Sequence, residues 1–254
     1  MLLAITRLVS RSIADCELTH LERIPIDLKN ARRQHHAYED ALRSLGVEVL
    51  SLPEEPDLPD AVFVEDTAVV LDECAIITWP GADSRKPETG SVARALVPHR
   101  KLFTVLAPGN VDGGDVLTVG KRIWVGLSGR SNPAALEQMQ TFLAPYGYSV
   151  SGVTVTGCLH LKSAVTQVAA DTLLINPAWV EKAHFPNMKF IEVDPSEPYA
   201  ANALLVGETV LYQPAYPKTG ERLEAAGIHP LLVDQSELAK AEGALTCCSL
   251  ILRA

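Results

Sequence analysis

The residues in this chain best suited to chemistry are a cysteine, a histidine and several acids, all far apart in sequence. Near the C-terminus, in "LTCCSLIL" (residues 245–252), two of only five cysteines stand side by side. The other three, Cys16, Cys74 and Cys158, are scattered, so no spacing suggests a disulfide framework. Read as a strand, the stretch sends neighbouring side chains to opposite faces. Cys248, Leu250 and Leu252 then form an apolar face, while Cys247 shares the other with Ser249 and Ile251. Cys247 is the candidate nucleophile and Cys248 a core residue; the plainer alternative is that both fill the core. His160 in "CLHLKS" could act as a general acid and base, or be a satisfied structural group. Asp112 and Asp115 flank paired glycines in "NVDGGDVL", which reads as an Asp-Gly turn or as a place where a ligand approaches the backbone beside a carboxylate. Glu65 and Asp66 interrupt an apolar run in "FVEDTAVV", where two acids are costly unless a cation or hydrogen-bond donors satisfy them.

A metal would suit the acids, but one histidine and two cysteines on opposite faces make a poor ligand set, so no metal is expected. A guanidinium fits better, because its planar fork of donors pairs bidentately with carboxylates and leaves its central carbon open to attack. Thiolate addition at that carbon, with the histidine protonating the departing amine and then activating water, would be covalent hydrolysis of a substituted guanidine.

Such residues can meet only if the chain brings them to one place, and a repeat provides the means. Two short β-rich runs, a helical stretch and a further strand begin at Asp60 and again at Asp112, where Asn132 and Pro133 mark a helix start. The pattern returns from His160, Asn202 and Ala244, at intervals of roughly 40 to 50 residues. The last copy has one strand left when the sequence ends, and "LLAITRLV" at the start lacks a hairpin partner. Pairing the two would close a ring of five units, with the first strand of each unit nearest the axis. Asp60, Glu65, Asp66, Asp112, His160 and Cys247 would converge there. The 254 residues, 47% hydrophobic, can bury a full core as a single domain spanning 1–254. A net charge of −9 with dispersed basic residues argues against nucleic acid. No run is long enough for a membrane span or signal segment, and the odd cysteine count suits reduced thiols in the cytoplasm.

The motifs "PDAVFVEDTAVV", "CAIITWPGADSRK", "NVDGGDVL", "HLKSAV" and "LTCCSL", in this order and over essentially the whole chain, resemble the dimethylarginine dimethylaminohydrolase family of guanidino-group-modifying enzymes. The resemblance implies a pentein-type five-bladed α/β-propeller of ββαβ units closed by the terminal strands. It also implies cofactor-free hydrolysis of Nω,Nω-dimethyl-L-arginine or Nω-methyl-L-arginine to L-citrulline and the methylated amine. Carried over by motif, Cys247 is the nucleophile, His160 the general acid/base, Asp112 its acidic partner, and Glu65 with Asp66 grip the guanidinium. Arg85 and Arg130 would bind the substrate α-carboxylate; Asp60, the Leu18 backbone and Ala241 would meet its α-amino group, with the segment around Leu18 serving as a lid. The chain departs from the family pattern at Trp79, at Pro87, and at Glu242 in "AEG", where an Asp is usual. Arginine deiminases share this kind of site but are longer, and ribosome anti-association factors share the five-fold architecture without its catalytic residues. These give the two rival readings, arginine deiminase activity and a non-catalytic binding protein.

Overall fold

The computed structural model describes residues 1–253. Strand β1 (Leu2–Arg7) is followed by helix α1 (Leu28–Ser44). The helix starts where the Asp27 side chain accepts from Asn30 N at 3.0 Å, satisfying one of the orphan donors of a helix N-terminus. It buries Ala31, Tyr38 and Leu42 and returns the chain to β2 (Val47–Leu52), parallel to β1. The second unit comprises β3 (Ala68–Val70), β4 (Cys74–Ile77), α2 (Thr89–Leu96) and β5 (Lys101–Thr104). The third comprises β6 (Val116–Val119), β7 (Arg122–Leu127), α3 (Pro133–Leu143) and β8 (Ser149–Thr154). A short helix, α4 (Leu161–Ala164), leads into β9 (Val165–Ala169), β10 (Thr172–Ile175) and β11 (Lys189–Glu192). The fifth sheet holds β12 (Leu204–Val206), β13 (Thr209–Tyr212) and β14 (Leu231–Leu232), with α5 (Pro217–Ala225) as its crossover. Helix α6 (Ser236–Ala239) then precedes β15 (Leu250–Arg253), which pairs antiparallel with β1, Leu2 opposite Arg253.

The terminal strands therefore complete the first sheet, and the five sheets of three strands form the five-unit propeller. In the other four units an antiparallel hairpin is followed by a parallel strand, so the third strand needs a crossover. The β10–β11 crossover carries only a helical turn, Lys182–His184, and buried Val180 and Phe185 cover that sheet instead of a helix. Elsewhere the core lies between each sheet and its outer helix; Ile123, Val125, Met139 and Leu143 between β7 and α3 are examples. Each such side chain contributes roughly 1.5 to 3 kcal/mol of burial free energy. No helix among the described residues is long and apolar enough to cross a membrane.

The functional motifs are strands only in their second halves. Val64–Thr67 and Thr246–Cys248 are tight helical turns that lead into β3 and β15, and Gly113–Asp115 does the same before β6. A short apolar run does not distinguish a buried strand from a buried helical turn. What decides it here is hydrogen bonding: Thr67 Oγ1 donates to Val64 O at 2.7 Å and Thr78 Oγ1 donates to Asp66 O at 2.7 Å. The strand alternation expected for Cys247 and Cys248 is thus corrected. In a tight helical turn successive side chains diverge by about 120°. That divergence puts Cys248, fully buried, among Tyr38 and Leu245 and leaves Cys247 half-buried at the inner end of the unit.

Candidate active site

The turns before β3, β6, β9 and β15 point toward the axis, and a small cleft forms where they meet. Its lining includes Asp60, Asp66, Arg85, Arg130, His160 and Cys247. His160 Nε2 lies 3.1 Å from Asp112 Oδ2, and its Nδ1 lies 3.8 Å from Asp66 Oδ1, so the imidazole is held between two carboxylates. Asp112 is fixed in turn by Gly81 N, which donates to its Oδ1 at 2.8 Å. Asp115 supports the same arrangement from behind. It accepts from the hydroxyls of Ser128 and Ser131, each at 2.6 Å, and from Leu161 N at 2.9 Å, which ties the third unit to the turn after His160.

The paired glycines admit the chain itself. A Cβ on Gly113 would sit 1.9 Å from Glu65 O, and one on Gly114 would sit 2.5 Å from His160 Nδ1. They let the Gly113–Asp115 turn press against the Val64–Thr67 turn, and Gly114 N donates to Asp66 Oδ1 at 2.8 Å. The expectation of a ligand approaching this backbone is replaced by close packing between units.

Glu65 and Asp66, expected to act together, are separated. Asp66 faces the cleft, where Arg85 Nη1 donates to its Oδ2 at 2.5 Å. Glu65 faces away: Lys162 Nζ pairs with its Oε1 at 2.5 Å and Thr246 Oγ1 donates to its Oε2 at 2.8 Å. It lines a different cavity, of about 220 Å³, on the opposite side of the turns. Arg85 is heavily engaged as well. Beyond Asp66 it bonds Glu88 and the carbonyls of Asp60 and Phe63, which leaves Nη1 as the only nitrogen with a hydrogen to spare. Its first task is to hold Asp66. Arg130, with 13% of its side chain exposed, is more available; its Nη2 donates to Thr19 Oγ1 at 3.2 Å.

The segment between Cys16 and Asp27 has no regular secondary structure and crosses the cleft mouth. Glu17 lines the cleft, its N–H donates to Asp60 Oδ2 at 3.0 Å, and Ser84 Oγ donates to its carboxylate at 2.6 Å. Leu18 is half-buried against the core of the first unit and is not part of the cleft lining. Ala241 is buried in the lining opposite. With this segment in place the cleft encloses about 20 Å³. That is space for a water rather than an amino acid.

Electrostatics separate the groups further. Burial alone would lower the His160 pKa, but Asp66, Asp112 and Asp115 outweigh it and raise it to about 9, so the ring is an imidazolium at neutral pH. Burial would raise the Asp66 carboxyl, yet His160 and Arg85 bring it down to about 2. At Cys247 burial, then Glu65 and Asp66, outweigh the Lys162 charge and push the thiol well up. Cys158 is likewise raised by burial, to about 12. Asp66, Asp112 and His160 are close enough to share a cation, their ligand atoms lying within 4.8 Å of one another. Their atoms are already engaged with Arg85, Gly114, Gly81 and each other, so the arrangement suits an organic cation that brings its own donors better than a bare metal ion.

Glu17, Phe63, Leu159, Glu242 and Gly243 also line the cleft and were not expected there. Only Glu242 carried a signal in the sequence, as the carboxylate in the altered "AEG".

Residues 21–184 match the family model described as N,N dimethylarginine dimethylhydrolase, eukaryotic. A dimethylarginine dimethylaminohydrolase of Streptomyces coelicolor is 41% identical over 98% of this chain and 96% of its own. That of Pseudomonas aeruginosa is 36% identical over 97% of each. A structure of the Pseudomonas protein, a cysteine-to-serine mutant complexed with citrulline, superposes with a TM-score of 0.94 at 35% identity over 98% of both chains. The N-terminal domain of a cyanobacterial arginine dihydrolase shares the fold, at a TM-score of 0.87 and 17% identity, over 99% of this chain and 98% of its own.

Proposed function

The chain belongs to the dimethylarginine dimethylaminohydrolase family, and from that premise we propose that it hydrolyses Nω,Nω-dimethyl-L-arginine or Nω-methyl-L-arginine to L-citrulline and dimethylamine or methylamine. The observation that carries the reading is the His160 imidazole held between Asp66 and Asp112 in the cleft that Cys247 lines. In this reading Asp66, ionised at neutral pH, meets the substrate guanidinium. The cation offsets the carboxylates that hold the Cys247 thiol up, so the thiol gives its proton to solvent when substrate binds rather than before.

The sulfur attacks the guanidinium carbon, and a C–S bond forms. His160, protonated at neutral pH, gives its proton to the departing amine as the C–N bond breaks. A cysteine-bound thiouronium remains. The neutral imidazole then takes a proton from water, which adds to the same carbon, and collapse of that adduct releases citrulline and the thiolate. Asp112 keeps the ring oriented through both steps. Arg130, with the spare Nη1 hydrogen of Arg85, takes the α-carboxylate, while Asp60, the Leu18 backbone and Ala241 take the α-amino group. Residues 1–254 act as one catalytic domain on this small molecule, without nucleic acid or membrane, and five free thiols suit a reducing cytoplasm.

Citrulline release from dimethylarginine, measured beside unmodified arginine, tests the reading. Preferential turnover of arginine would replace it with a deiminase, and no release from either would leave a binding protein.

A further inference from the structure

Helix α6 and the turn after it reach the cleft cover at three places. Glu237 Oε2 accepts from Asp27 N at 2.9 Å, and Lys240 Nζ donates to Pro25 O at 3.1 Å. The third contact is denser. The Glu242 carboxylate accepts from Thr19 N at 3.0 Å, from His20 N at 2.5 Å and from Leu21 N at 2.7 Å. Three successive backbone N–H groups around one carboxylate form an anion-holding nest, here filled by a side chain of the same molecule.

Two further features single out Glu242. Its φ is +58°, a conformation that side-chain-bearing residues avoid, shared among the described non-glycine residues only with Asn187. The next residue, Gly243, admits no side chain, since a Cβ would lie 2.2 Å from the Phe63 ring. The turn is therefore pinned against the cleft wall, and Glu242 is aimed at the cover from a fixed base. The closed cleft holds about 20 Å³, so an amino acid enters only when the cover lifts.

We infer that Glu242 is a positioning residue that latches the Thr19–Leu21 backbone shut over the cleft and so sets the place of the neighbouring Leu18 carbonyl. The role in catalysis rests on the proposed hydrolysis; the latch itself does not. On substrate entry the three N–H groups leave the carboxylate, and on closure they return to it. Glu242 contributes to binding without touching the reacting carbon.

The test compares Glu242→Gly, Glu242→Gln and the native chain by amide hydrogen exchange and by steady-state kinetics with dimethylarginine. Glycine suits the positive φ, so Glu242→Gly removes the latch while relieving the backbone and should leave the melting temperature unchanged or higher. Exchange at Thr19, His20 and Leu21 should quicken by about 10- to 100-fold, and KM should rise by about 10-fold with kcat within about threefold. Glu242→Gln keeps an acceptor oxygen without the charge and should fall between. Unchanged exchange at those three amides in Glu242→Gly would overturn the latch. So would a fall in melting temperature with KM and exchange untouched, which would mark Glu242 as merely structural. If the native chain releases no citrulline, the proposed hydrolysis fails, while the exchange measurement still decides the latch.

Discussion

Glu65 and Asp66 are consecutive acids in one helical turn, yet they serve opposite sides of the propeller. Asp66 opens to the cleft, where Arg85 and His160 hold its pKa near 2. Glu65 opens to the axial cavity of about 220 Å³ beyond the turn, where burial raises its pKa and Lys162 only partly offsets that. Cys247 and Cys248 divide in the same way between cleft and core. On the cleft side Asp66 and His160 keep each other ionised at the cleft wall; on the far side Glu65 is raised by burial and consumed by Lys162. Residue type alone does not assign a role here. The direction imposed by a single turn does.

The sharpest attempt to break this comparison is at the thiol. Cys247→Ser should lower kcat by at least about 10³-fold with the circular dichroism spectrum unchanged, because a serine hydroxyl is a far weaker nucleophile at neutral pH. A Cys247→Ser enzyme that retained substantial turnover would remove the cysteine from the mechanism.

The acids come next. Glu65→Gln leaves the Lys162 ammonium without its counter-charge and should cost about 3 kcal/mol of stability by denaturant unfolding, with kcat reduced less than about 10-fold. Asp66→Asn should differ in the kinetics: besides a stability loss of about 2 to 3 kcal/mol, from the charge that Arg85 and His160 pair with, kcat should fall by about 100-fold or more. Equal kinetic losses in the two variants would restore the pair as joint ligands of the guanidinium.

The pH dependence of stability sharpens the cleft side alone. The folded pKa of His160, about 9, lies above its ordinary value of 6.5. Its contribution, about 3 kcal/mol on the order of the shift, is therefore full below about pH 6.5 and lost as pH rises toward 9. Unfolding free energies measured from pH 6 to 9 should decline in the native chain and decline less in His160→Asn. Parallel curves would mean that the ring is not charged in the fold.

The smallest expected effect belongs to the core cysteine. Cys248→Ser should keep turnover and lose about 1 kcal/mol, the penalty for a hydroxyl among Tyr38, Leu245 and their neighbours. A dead Cys248→Ser enzyme would exchange the roles of the two cysteines.

Much of this molecule was legible before its fold. The five-fold repeat could be read because each unit restates one hydrophobic pattern, and the pairing of the first and last strands followed from counting which strand lacked a partner. Asp60, Asp66, His160 and Cys247 line the cleft, as their places near the inner ends of the units imply, and Arg85, Arg130 and Ala241, which only the family motifs pointed to, line it with them. The strand reading of the cysteines failed because two helical turns closed by local hydrogen bonds look, as sequence, like the start of a strand. That Lys162 pairs with Glu65 and Glu88 with Arg85 was not legible, because ion pairing is a property of directions in space and no local pattern connects these positions.

The order of residues thus determined the architecture, since burial of repeated apolar faces is a local, periodic demand that a chain states many times over. It also determined which chemical types could meet at the axis. The tertiary structure alone decided which acid faces the cleft, which arginine remains available, and that Glu242 reaches the Thr19–Leu21 backbone. Those outcomes depend on hydrogen bonds between residues up to 223 positions apart, each made once, and a contact made once leaves no period in the sequence to read.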